Sequence, residues 1–124
     1  LVICGGLAWT TPQAPDMKSL AMKFLNRGKH VAAICGGTLA LARGGVLNTV
    51  RHTSNDIGFL ADNSSTYTGQ SHYIDVPGAV ADQNVITAAG TAPVHFSAAV
   101  FRAAGVDEKM VNGFTAMLAG EHAA

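Results

Sequence analysis

The chain has 124 residues, enough for one domain. It is 48% hydrophobic and 13% charged, with eight basic residues balanced by eight acidic ones. That core-rich composition excludes a disordered chain, and the zero net charge gives no footprint for nucleic acid or a membrane surface.

The chain opens on "LVICGG", an apolar run closed by Gly5 and Gly6. It reads as the last half of a buried strand, Leu1 to Cys4, entering a loop. With neither an initiator methionine nor a charged leader at this start, the expectation is a fragment whose opening strands lie upstream. Residues 10–15 carry two prolines and read as loop. Over 16–27, Met17, Leu20, Ala21 and Phe24 share one helical face, and Gly28 is placed to stop the helix. His30 to Ile34 is a second buried strand, and 36–43 is helical up to Gly44-Gly45. The longest uncharged apolar stretch, 31–42, is too short to cross a bilayer and is broken by glycines.

The polar run "RHTSND" (51–56) offers Ser54 or Asn55 as N-cap for a short helix over 57–61. His72 to Val76 alternates like a strand, "DQN" at 82–84 is a turn, and Asn84 to Ala88 is a further strand that would pair with 72–76 as a hairpin. Pro93 then starts a helix, with Val94, Ala98, Phe101 and Ala104 toward the sheet. A last helix over 107–118 turns Val111, Phe114 and Leu118 inward. Helices between hydrophobic strands point to βαβ units and a mostly parallel sheet covered on both faces.

Ligands of such sheets bind beyond the carboxyl ends of the strands. Glycines mark those ends at Gly5-Gly6, Gly36-Gly37 and Gly90. Cys35 stands where its strand hands over to a helix. A sharp turn there lifts a side chain out of the sheet, and small neighbours let the turn fit. A helix N-terminus favours a thiolate. The backbone amides of Gly36 and of Gly5 or Gly6 could hold an oxyanion. The bland alternative is that Cys35 is a small buried hydrophobe, as Cys4 is expected to be within its strand. His52, in the polar loop, and His95, in the first turn of the helix after Gly90, are candidate bases for the thiol. For each the alternative is a surface or capping histidine, and His30, His72 and His122 read as structural or exposed. Trp9 could line a pocket. No metal-site spacing, Cys-x-x-Cys, P-loop or dinucleotide fingerprint occurs, so no metal or cofactor is expected. Two cysteines make no disulfide framework and suit free thiols in a reducing, cytoplasmic setting.

"LVICGGLAW", "GKHVAAICGGTLALARGGVLN", "RHTSND" and "NVITAAGTAPVHFSAAVFRAAG" together resemble the ThiJ/PfpI superfamily, in its branch labelled glutamine amidotransferase-like or intracellular protease/amidase. The resemblance runs over nearly the whole chain. It implies a flavodoxin-like three-layer α/β sandwich, one domain over 1–124 that lacks its first strands and a helix. It also implies that Cys35 matches the reactive cysteine, that Gly5, Gly6 and Gly36 match the oxyanion positions, and that His52 falls near a histidine found in several members. Gly36 stands where many protease-like members have histidine, and His95 where relatives often have glutamate. The acidic residue that contacts the cysteine in many members would lie upstream.

Two functions follow as expectations. One is a cysteine-dependent enzyme, either hydrolase or amidase, or glyoxalase or deglycase-like, acting on a small-molecule substrate. The other is a non-catalytic redox sensor or stress-response protein using the same thiol. A third, blander option is a dimerising binding module whose cysteine is unused. The expected assembly is a homodimer, without nucleic acid or membrane as a partner.

Overall fold

In a computed structural model describing residues 1–122, nine regular elements are arranged as an α/β sandwich. They are β1 (Val2–Ile3), α1 (Lys18–Asn26), β2 (Val31–Ile34), α2 (Gly37–Arg43), α3 (Ile57–Asn63), β3 (Val80–Asp82), β4 (Val85–Ala88), α4 (Pro93–Ala103) and α5 (Glu108–His122). The strands pair in the order β1-β2-β4-β3, with β1, β2 and β4 parallel and β3 antiparallel at one edge.

Strand alternation divides the core between the two faces of the sheet. Val31 and Ala33 of β2, with Val85 of β4, point toward α1, α2 and α3, where Ala21, Leu39, Leu41, Leu47 and Leu60 are buried. Ala32, Ile86 and Ala88 point the other way, against Ala92 and Phe96 at the start of α4. The α5 helix lies on α4, with Phe101 and Phe114 edge to face at 5.2 Å.

Several expectations shift in position. Leu20 is 41% exposed, and Leu25 takes its place beside Met17 and Phe24 against the core. Gly28 stops α1 as expected. It adopts φ +71°, and the Gly28 and Lys29 amides donate to the carbonyls of Leu25 and Phe24, a Schellman closure. On α4 the sheet-facing set is Phe96, Ala99, Val100 and Ala103, while Ala98 is buried and Phe101 turns outward onto α5. Val111 is buried under α5, with Phe114 and Leu118 half-buried, as the periodicity predicts.

The hairpin forms, but with a different first strand. Residues 70–72 make a 3-10 turn, and Tyr73 contributes an isolated parallel bridge to His52. Pro77 and Gly78 then interrupt the chain before β3. The two-residue turn between β3 and β4, Gln83-Asn84, has φ of +49° and +67°, the left-handed pair that a tight hairpin requires. The short helix α3 begins at Ile57 as expected but is capped by a different residue. Its cap is Asp56, whose carboxylate accepts the Phe59 amide at 2.7 Å, because Ser54 and Asn55 are engaged elsewhere.

Candidate functional site

Cys35 follows β2 directly and adopts φ +56°, a left-handed conformation that costs a residue with a Cβ about 1–2 kcal/mol. Its amide still donates to the Ala88 carbonyl of β4 at 2.9 Å, and its carbonyl accepts from the Thr38 amide at 3.1 Å and the Thr38 hydroxyl at 2.7 Å. Both ends of the peptide are thus fixed while the residue between them is twisted. The thiol is half-exposed.

Glycines make room for it. A Cβ at Gly5 would stand 2.8 Å from the Cys35 Cβ, and one at Gly90 would stand 2.9 Å from Sγ. A Cβ at Gly36 would strike the Gly6 carbonyl oxygen, so the loop after β1 packs on the turn after β2, backbone to backbone. Among the described residues the Gly36 amide donates to no acceptor. It and the neighbouring Gly5-Gly6 loop lie beside the sulfur.

The polar run 52–55 is tied down residue by residue. His52 is fully buried and has an acceptor and a donor for its two ring nitrogens: Nδ1 lies 2.7 Å from the Val50 carbonyl and Nε2 2.7 Å from the Tyr67 hydroxyl. A carbonyl only accepts, so Nδ1 carries the proton and Nε2 accepts from Tyr67. Burial pushes the His52 pKa below its ordinary value, the Val50 hydrogen bond opposing part of that effect. Burial likewise pushes the Tyr67 hydroxyl up to about 12. The Thr53 amide donates to Thr87 Oγ1 at 2.9 Å. Ser54 and Thr38 share a hydroxyl contact at 2.7 Å; since Thr38 donates to the Cys35 carbonyl, Ser54 is the donor to Thr38. Asn55 takes the Gly90 amide at 2.9 Å through Oδ1, and its Nδ2 lies 3.6 Å from Cys35 Sγ.

The residues singled out in the sequence therefore fall into two groups. Cys35, Gly5, Gly6, Gly36 and the Gly90 strand end come together. His52 and His95 make no hydrogen bond to the thiol. His95 is exposed, with its ring against Gly78. Trp9 is half-buried against the core; its indole donates to the Cys4 carbonyl at 2.9 Å and its own carbonyl accepts from Arg43. It braces the Gly5-Gly6 loop, and its cavity is shared with Thr11, Met17, Lys18 and Arg43. Cys4 is exposed, contrary to its reading as a buried strand residue, because β1 ends at Ile3. An apolar groove of 490 Å³ opens at the β1 edge between Val2, Phe24, Ala32, Ile86 and Val100, and Cys35 is not among its lining residues. The His122 side chain, like residues 123–124, lies outside the described part.

Asn55 is the residue that pattern reading missed. It reads as a helix cap, yet it is the side chain on the sulfur. The available signal was the polar run 51–56, which follows an apolar segment and precedes Ile57.

Among the described residues no helix is long and apolar enough to cross a membrane. Residues 1–103 match the DJ-1/PfpI family. The chain is 38% identical over 103 residues to a protein named uncharacterized protease YoaZ of Bacillus subtilis, a match covering 82% of this chain and 48% of that protein. The uncharacterized protease YdeA of the same organism is 34% identical over 97 residues, covering 78% and 48%. The crystal structure of a DJ-1 superfamily protein from Agrobacterium tumefaciens superposes with a TM-score of 0.88 at 36% identity, over 98% of this chain and 65% of that one. The chain spans about half the length of the curated relatives it matches. Its fold is flavodoxin-like α/β.

Proposed function

This chain belongs to the DJ-1/PfpI family, and on that premise we propose that it is a cysteine-dependent enzyme on a small-molecule substrate, with Cys35 as nucleophile. The observation that carries the reading is the left-handed backbone of Cys35 at a strand end, kept in a fold where a glycine would sit without strain. Strain held at a half-exposed thiol is the signature of a nucleophile elbow.

The chemistry needs a carbonyl carbon. The sulfur attacks it, a C–S bond forms, and the π electron pair moves onto oxygen. The Gly36 amide and the Gly5-Gly6 backbone are the donors for that oxyanion. With an amide substrate the C–N bond then breaks, the amine leaves with a proton, and water releases the acid from the thioester. With a reactive aldehyde the adduct is a hemithioacetal. The names of YoaZ and YdeA support the amide branch. Proton transfer is not assigned to His52, whose nitrogens are both engaged, nor to His95, which rests on Gly78. A homodimeric assembly and a cytoplasmic, reducing setting complete the reading.

The test compares the protein with Cys35→Ser on chromogenic amides and on methylglyoxal. Turnover of either class that vanishes in the variant supports the proposal. A Cys35 that alkylates readily but turns over neither would overturn it in favour of redox sensing.

A further inference from the structure

We propose that Asn55 is the positioning residue of Cys35, a carboxamide that fixes the Gly90 strand end with its oxygen and donates to the sulfur with its nitrogen.

The orientation of the carboxamide follows from its partners. The Gly90 N–H can only donate, and it points at the Asn55 side chain at 2.9 Å. The atom it meets must be Oδ1. That leaves Nδ2, a donor with no lone pair to offer, directed at Sγ at 3.6 Å, within reach for the larger sulfur atom. The sulfur is held as an acceptor, with a lone pair engaged on the Asn55 side. A donor facing the sulfur fixes the direction of one of its lone pairs. The bridge is also directional. Gly90 crowds Sγ so closely that a Cβ there would stand at 2.9 Å, so the carboxamide and the Gly90 backbone together wall one side of the thiol.

This inference rests on the proposed function only in taking Cys35 as the reacting group. Its test reads the sulfur directly and needs no substrate. Iodoacetamide labelling at neutral pH is followed by mass spectrometry at both cysteines of the full-length protein. Exposed Cys4 serves as internal standard, since a general loosening of the fold moves both rates. Asn55→Ala removes oxygen and nitrogen together; Asn55→Asp keeps the acceptor for Gly90 and loses the donor. Loss of the Asn55 donor leaves the attacking sulfur without its oriented partner, an effect worth about fourfold in labelling rate. Both variants should therefore label Cys35 about fourfold more slowly relative to Cys4. The aspartate should stay slow at high ionic strength, where its repulsion of the thiolate is screened. An unchanged Cys35 to Cys4 ratio in the aspartate variant at high salt would overturn the inference, as would an alanine variant labelling at the parent rate. The expected slowing in both variants, with neither substrate class turned over by the parent protein, would support the inference and count against the enzyme reading alone.

Discussion

The left-handed turn at Cys35 makes a quantitative statement about stability that can be read without any substrate. Cys35→Ala and Cys35→Gly both delete the sulfur, so the Asn55 contact and the thiol's packing cancel between them. They differ in one Cβ and its consequences. At φ +56° that Cβ costs about 1–2 kcal/mol against the carbonyl that follows it. Glycine gives back about 0.5–1 kcal/mol through the larger freedom of its unfolded chain. The net favours glycine by about 0.5–1 kcal/mol, the reverse of the order at an ordinary helix or strand position. For a chain of 124 residues this is a rise of ~2–4 °C in Tm. Urea unfolding of the two variants, with equal slopes to show equal surface exposure, measures it. An alanine variant as stable as the glycine variant, or more so, would mean that the turn costs nothing. The argument from retained strain to a nucleophile would then fail.

Four further outcomes are expected. Gly90→Ala puts a methyl 2.9 Å from Sγ and should slow labelling of Cys35 severalfold while Cys4 labels normally. Tyr67→Phe leaves the buried Nε2 of His52 without its donor and should cost about 1–2 kcal/mol in urea titration; the same pair gives stability a pH window. Since the folded pKa of His52 is lowered, its contribution is complete above the unfolded value of about 6.5 and is lost as pH falls toward the folded value, while Tyr67, raised to about 12, contributes fully below about pH 10 and loses that contribution between there and about 12. Thr53→Val should raise stability by about 1 kcal/mol, since among the described residues the buried Thr53 Oγ1 has no partner, and a melting point below the parent's would show that the hydroxyl is in use.

What was legible in the sequence is what depends on spacing. The apolar runs at 31–34 and 85–88 are strands because both faces of a covered parallel sheet need apolar residues. Gly28 closes α1 because the following turn needs a left-handed residue. The expected hairpin was misplaced for a physical reason. Residues 72–76 alternate as a strand does, but their one bridge goes to His52, a buried residue of a loop. Alternation records which side chains face inward and not which backbone is the partner. The pairing of 80–82 with β4 is decided by Gln83 and Asn84 accepting a left-handed turn, a tolerance shared by few residue types and easily read as a generic loop.

The site divides along the same line. That Cys35 sits at a tight strand-to-helix turn follows from the glycines after it, because steric room is written into residue type. The partner of its sulfur is not. Ser54, Asn55 and Asp56 are all competent helix caps, and only one of them caps α3. Which one is settled by long-range contacts: Thr38 takes Ser54, Gly90 takes Asn55, and Asp56 is left for the Phe59 amide. Gly90 is 35 residues from Asn55 in sequence and Cys35 is 20 away, so no local propensity carries the pairing. The histidines show the converse. Residue type makes His52 a candidate base, yet Tyr67 and the Val50 carbonyl use both nitrogens for the core. A polar run in an apolar chain marks where such choices are made, and the geometry then separates the side chain that braces the fold from the one that touches the sulfur.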